Sequence, residues 1–307
     1  MPSRSRSQIT IGVLLTALAS VAYGAVPLFA TLSYSLGSNP STFNFYKSAF
    51  ALPLIFLILL FRRQHIGLSL RPLVCVLVAG LLSKGITSFF LYSSYAIIGG
   101  GLATTIHYLY PLFVALFGWL FFRQRLAPVK LIGLLGASVS VCLFVDFSGP
   151  SGSFTGVLFA LLSAVTYALY IQSIEHTPAK TVNPLIFAFY AAIMGAVFAA
   201  LSGSIAGDLV FVQPPKTMLF VFLGACASSV VGISLFQQGV ARLGGASAAI
   251  FGLLEPVCSL IFGAVFMDEA FPLRACFGVV LIMLFILAVL VADLREEQVR
   301  RQQICRK

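Results

Sequence analysis

The segment Asn39-Pro40-Ser41-Thr42-Phe43-Asn44-Phe45-Tyr46 returns 144 residues later as Asn183-Pro184-Leu185-Ile186-Phe187-Ala188-Phe189-Tyr190, keeping five of its eight residue types. The same offset lays Gly12-Val13-Leu14, Leu18, Val21 and Tyr23 on Gly156-Val157-Leu158, Leu162, Val165 and Tyr167. At an offset of 145, Gly99-Gly100 meets Gly244-Gly245, Pro111 meets Pro256 and Gly133 meets Gly278. One unit is written twice. A repeat of about half the chain points away from a solenoid and towards a duplicated transporter core.

The repeated unit is too apolar for water. Of 307 residues, 60% are hydrophobic and 9% charged, which leaves too little polar surface to cover a soluble globule. Ten nearly charge-free stretches run over 9–36, 42–61, 72–97, 102–122, 128–147, 154–174, 183–203, 216–242, 246–267 and 272–293. Each is about as long as a membrane helix and lacks the alternation of a membrane strand. In lipid each must satisfy its own backbone, so the expected class is all-α and integral to the membrane, with ten transmembrane helices. The expected organisation is a short N-terminus (1–8), a first five-helix repeat (9–147), a linker (148–153), a second repeat (154–293) and a charged tail (294–307). The first stretch resembles a secretion signal, but its match to 154–174 argues for an uncleaved helix that completes the first repeat.

A net charge of +10 would suggest nucleic acid in a soluble protein. Here the cations follow the loops. With the N-terminus placed in the cytoplasm, inside segments hold fifteen of the nineteen Lys and Arg residues and outside segments only Lys216 and Arg274; Lys47 and Lys84 lie within spans. The positive-inside rule therefore places both termini in the cytoplasm, and the basicity reports topology rather than a nucleic-acid patch. Because five is odd, the second copy enters from the opposite face, and the halves are inverted repeats suited to alternating access around one central site.

Features present in both copies read as scaffold, so the search for chemistry turns to what the copies do not share. A charge at the bilayer centre costs about 2.5–3.5 kcal/mol on the insertion scale. Lys84 lies mid-span, and at helical spacing Lys84, Ser88, Tyr92 and Tyr95 form one polar and aromatic stripe that should line a cavity. Lys47 lies within snorkelling reach of its span's outer end and reads either as an interfacial cation or, with Lys84 and Glu255, as part of a coupling or ion-pair group. Glu255 precedes Pro256 and reads either as a coupling carboxylate or as the partner of a lysine. His107, Tyr46, Tyr170, Tyr190 and Ser229 are further candidates for a lining that offers stacking faces and hydroxyls. Pro111 and Pro256 each remove a helix hydrogen bond and read as packing kinks or hinges. The six cysteines show no metal-binding spacing, and neither a metal nor a cofactor is expected. A Walker loop and an intramembrane His-Glu-x-x-His are both missing from the sequence, which disfavours an ATP-driven pump or a protease.

Ten spans in inverted halves, a proline in the fourth and ninth, and Met267-Asp268-Glu269 ahead of Gly278 together resemble the drug/metabolite transporter superfamily, EamA type, over the whole chain. Within it the tyrosine-rich spans are similar to those of the aromatic amino-acid exporter group (YddG type). The resemblance implies a bacterial inner-membrane exporter of amino acids or related metabolites, with drugs, nucleosides or polyamines as alternative cargo of the same fold and a channel as a different class. Its implied partners are a small-molecule substrate and the lipid bilayer. The sequence is compatible with a monomer and leaves the oligomeric state open. One departure is the segment Arg123-Gln124-Arg125, where many members carry a glutamate matching Glu269.

Overall fold

A computed structural model describes residues 6–98, 100–124, 128–141, 153–266, 273, 277–285, 287–289, 291 and 292. The linker 148–152, the tail from 293, Gly99, Cys142, Cys276, Cys305 and Met267-Asp268-Glu269 lie outside them, so the expectations placed there are not described further. The described residues are helical, with no strand among them. In chain order the helices are α1 (Arg6–Gly24), α2 (Val26–Tyr34), α3 (Pro40–Phe61), α4 (Leu70–Gly80), α5 (Ser88–Ile98), α6 (Gly100–His107), α7 (Tyr110–Phe122), α8 (Pro128–Val141), α9 (Phe154–His176), α10 (Pro184–Ala206), α11 (Pro215–Ala225), α12 (Ile233–Leu243), α13 (Gly245–Gly252) and α14 (Leu254–Phe266). A π-helical turn, Leu81–Thr87, joins α4 to α5, and a second, Cys226–Gly232, joins α11 to α12.

Seven of the continuous helical runs among the described residues are long and apolar enough to cross a membrane. Shorter apolar helices, Tyr110–Phe122, Leu131–Ser140 and Phe277–Val289, fall within the fourth, fifth and tenth stretches. Lipid-type exposure fits this reading, since Leu60, Phe61, Trp119, Val139, Leu201 and Ile205 all project outward.

The duplication holds element by element. The helix breaks at Tyr108–Leu109 and at Leu253, each just ahead of a repeated proline, and the two π turns fall 145 residues apart. Pro111 therefore sits in the first turn of α7, where a missing N–H costs little, and Pro256 in the first turn of α14. Contacts repeat with the halves exchanged. Helix α1 packs on α12, α13 and α14, while α9 packs on α5, α6 and α7; α3 and α10 pack on each other. The repeated glycines mark these seams. A Cβ at Gly12 would meet Leu243, and one at Gly156 would meet Ile98, the residue equivalent to Leu243. Side chains larger than hydrogen would hold both pairs apart.

The opening segment has the same structural explanation in both copies. Asn39 and Asn183 are N-caps, accepting hydrogen bonds from the backbone N–H groups of Thr42 (2.8 Å) and Leu185 (2.9 Å), and each is followed by a proline in the first turn. The Tyr46 hydroxyl donates to the carbonyl of Phe211 (2.6 Å) and that of Tyr190 to the carbonyl of Ile66 (3.1 Å), again equivalent positions. Each tyrosine thus ties its helix to a loop of the other half.

Candidate functional site

A cavity lies where the two halves meet. Its void is about 650 Å³ with the open space at its mouth included. The π turns build its middle. Ser83, Lys84 and Thr87 come from the first and Ser228 from the second, and Lys84 Nζ donates to the Ser228 backbone carbonyl at 3.1 Å. A π turn widens the helix and re-aims side chains, which accounts for the frequency of such turns at functional sites. Lys84 reaches the cavity past Gly195, whose absent Cβ would lie 2.9 Å from Lys84 Cβ and 2.7 Å from Ser48 Oγ. Its ammonium also sits over the Tyr23 ring, 5.4 Å from the centroid, a cation–π arrangement.

Ser88, Tyr92 and Tyr95 line the cavity from α5, together with Leu91. Lys47 also lines it and does not snorkel. It is 1% exposed, donates to the Tyr92 hydroxyl at 2.7 Å and lies 4.8 Å and 5.7 Å from the centroids of Tyr92 and Phe43. Two aromatic faces and a hydroxyl thus replace its water, a correction to the view of Lys47 as an interfacial cation.

His107 closes another wall. Its Nδ1 lies 2.9 Å from Ser163 Oγ, and its ring packs 5.4 Å from that of Tyr167 and 5.7 Å from that of Tyr110. Glu255 lines the cavity beside the Tyr108 hydroxyl and within electrostatic reach of Lys84. The one ion pair within 4.0 Å among the described residues is elsewhere, between His176 Nε2 and Glu175 Oε2 at 3.8 Å. Lys84 and Glu255 therefore share a chamber without closing as a direct bridge.

Tyr170 borders the cavity, with a hydroxyl that is fully buried and has no partner. Tyr46 and Tyr190 do not reach it, being held by the loop carbonyls of the other half. Ser229 also stays out. It is buried behind Ser228, with the two hydroxyls 3.3 Å apart, and Ser228 is the one that faces the void. Gln237 and Gln238 donate to the carbonyls of Ala179 and Ser234. Tyr190→Phe should lower thermal stability by the order of one hydrogen bond, about 1 kcal/mol, and leave substrate selectivity unchanged, measurable by thermal unfolding in detergent alongside transport. A change of selectivity would return Tyr190 to the site.

Sequence reasoning missed Tyr23 and Tyr167. They are equivalent residues, 144 apart, and both line the cavity. The signal was present in the repeat itself: where two halves meet at one cavity, both copies of a shared residue can face it, so sharing does not imply scaffold.

At the C-terminal ends of α7 and α9, polar contacts tie neighbouring elements together. Gln124 Nε2 lies 3.0 Å from His176 Nε2, and the imidazole stacks on Phe122 with centroids 3.6 Å apart. Glu175 accepts the backbone N–H of Gly245 at 2.6 Å, just after Gly244 turns at φ +82°. Gln124 thus has a partner of its own in place of the missing charge. Tyr110, the counterpart of Glu255, bonds the carbonyl of Ala249 at 3.3 Å and fills the space left by Gly252.

Comparison with known proteins gives one consistent result. A family model described as the EamA-like transporter family matches residues 10–145 and again 154–291, once per repeat. Relatives include an uncharacterized transporter of Archaeoglobus fulgidus, 27% identical over 71% of this chain and 78% of its own, and the uncharacterized transporter YcbK of Bacillus subtilis, 26% identical over 87% of this chain and 88% of its own. A solved crystal structure superposes with a TM-score of 0.75 at 20% identity, covering 95% of this chain and 100% of the other, a likeness of fold.

Proposed function

The chain belongs to the EamA-like transporter family, is a multi-pass membrane transporter and not an enzyme, and from that premise we propose that it exports amino acids, aromatic or neutral, or related small metabolites, by alternating access. The carrying observation is a single chamber that holds an open ammonium, a carboxylate not paired with it, and the rings of Tyr23, Tyr92, Tyr95, Tyr167 and Tyr170. A zwitterion with a flat side chain matches those three elements. Lys84 takes the substrate carboxylate, with His107 beside it; Glu255 faces the substrate amine or a coupling proton; the tyrosines accept the apolar ring.

Ten crossings in two inverted five-helix repeats, both termini cytoplasmic, and residence in the bacterial inner membrane complete this reading. It is supported by the cation count along the loops and by contacts that repeat with the halves exchanged. Pro111 and Pro256, each just beyond a helix break, are the positions where α6–α7 and α13–α14 bend between states.

Purified protein in liposomes preloaded with L-phenylalanine should take up labelled L-phenylalanine faster than empty liposomes do. Tyrosine and tryptophan should replace the internal amino acid, whereas putrescine and uridine should not. Stimulation by putrescine instead would move the anchor from Lys84 to Glu255 and the cargo to polyamines. Single-channel current steps without counterflow would end the carrier reading altogether.

A further inference from the structure

The polar protons around the chamber can be followed one by one. Thr166 of α9 directs its single hydroxyl proton to carbonyls of its own helix, Leu162 at 2.9 Å and Ser163 at 3.1 Å. In its 2.8 Å contact with Thr87 it therefore accepts, and Thr87 donates. Ser163, one turn earlier on α9, gives its proton to the carbonyl of Ala160 at 2.6 Å. In its 2.9 Å contact with His107 it therefore accepts from Nδ1–H. The imidazole is 6% exposed and packs among the rings of Tyr108, Tyr110 and Tyr167, an apolar setting that keeps it neutral. Its Nε2 then carries a lone pair and no proton. Helix α9 has taken up the protons of two chamber residues, so Thr87 Oγ1 and His107 Nε2 can only accept from a solute.

The stripe that starts at Lys84 has the opposite polarity. The Tyr92 hydroxyl accepts from Lys47 at 2.7 Å and the Tyr95 hydroxyl from Thr104 at 3.2 Å, which leaves both phenolic protons to donate. A zwitterion is sorted by this arrangement, its carboxylate towards Lys84 and the tyrosine hydroxyls, its ammonium towards Thr87 and His107. Ser163 and Thr166 are three residues apart on one helix, with Cβ atoms about 5–6 Å from each other, so the two acceptors they hold sit side by side. The repeat places glycine at both equivalent positions, Gly232 and Gly252, and the pair therefore belongs to one wall only. We propose that Thr87 Oγ1 and His107 Nε2 form a subsite for the ammonium group of the substrate, selecting a cationic nitrogen that carries hydrogens over a quaternary one. The subsite rests on the amino-acid reading above and fixes which end of that substrate the α9 wall takes. Glu255, in the same chamber, attracts any cation; the two acceptors tell an ammonium with N–H bonds from one with none.

The test compares L-phenylalanine with its N,N,N-trimethyl betaine, which keeps both charges and the ring and loses every N–H. Each is titrated onto the full-length protein in detergent, with binding read by thermal shift. Wild type should bind L-phenylalanine about tenfold more tightly than the betaine, or better, as expected for a hydrogen bond from a charged donor. Thr87→Val keeps the shape of the side chain and leaves Thr166 its bond to Leu162. It should weaken L-phenylalanine about tenfold and the betaine less than about twofold, while Thr87→Ser stays near wild type. Equal weakening of both ligands in Thr87→Val, or weakening of neither, would overturn the proposal. Should Thr87→Val fail to fold, His107→Phe, which leaves the Ser163–Ala160 bond in place, carries the same comparison. A second pair, 2-phenylethylamine and its trimethyl derivative, lacks the carboxylate and separates the two readings. Preference for the primary amine, lost in Thr87→Val, without binding of L-phenylalanine would keep the subsite and reject the amino-acid substrate. Tight binding of L-phenylalanine with no preference in either pair would do the reverse.

Discussion

Lys84→Ala is expected to lower phenylalanine counterflow by about 10- to 150-fold, the range that corresponds to losing one charge-assisted hydrogen bond worth about 1.5–3 kcal/mol. The ammonium is the only one in the cavity that is not caged by rings and a hydroxyl, since Lys47 is taken up by Tyr92 and Phe43. Its existing contact, the Ser228 carbonyl, is one that a substrate carboxylate can join without breaking the fold. Lys84→Met, which keeps the stem packed against Gly195, should fail equally in transport while unfolding at nearly the wild-type temperature. Lys84→Arg should not restore activity, because a planar fork does not fit where one stem passes a glycine and a serine. Counterflow within twofold of wild type in Lys84→Met would remove Lys84 from the binding site.

Gly80→Ala is the substitution expected to cost most in stability. A Cβ there would stand 2.7 Å from the Cα of Ala191 and 3.2 Å from its Cβ, so the helices α4 and α10 must part. Overpacking of this kind costs about 1–3 kcal/mol, and the obstruction is backbone, which cannot rotate away. The second substitution Ala191→Gly removes the Cβ contact but not the Cα one, so the double variant should recover only a small part of the loss. Thermal unfolding in detergent, read by size-exclusion fluorescence, measures both. Full recovery in the double variant would show that the side chain, and not the backbone, sets the spacing.

Much of the fold could be read from the sequence, for reasons that are visible in the residues. Asn39-Pro40 and Asn183-Pro184 start helices because a side-chain acceptor and a missing N–H suit a first turn, and both copies do so. The stripe Lys84, Ser88, Tyr92, Tyr95 was legible because lipid cannot take it. The π turns were not legible: a seven-residue widening leaves no mark on hydrophobic periodicity, and it decides that Ser228 faces the cavity while Ser229 does not. The roles of Tyr46 and Tyr190 were hidden because a tyrosine in a span reads the same whether its hydroxyl meets a substrate or a loop carbonyl. Tyr23 and Tyr167 were passed over by treating repetition as evidence of scaffold, when both copies line the cavity.

The exchange of α1 and α9 between the halves has a consequence for how the chain is made. Helix α1 leaves the ribosome before the other described helices, yet its main neighbours, α12, α13 and α14, lie more than 200 residues downstream. At synthesis rates of about 5–20 residues per second, α1 waits roughly 10–40 s before those partners exist. During that interval the nascent first half must be held in the bilayer by its own hydrophobicity and by lipid or insertion machinery. Helix α9 is in the opposite position, because α5, α6 and α7 are already in place when it emerges. The two halves are alike in architecture but unequal in birth order, and final assembly awaits the last third of the chain.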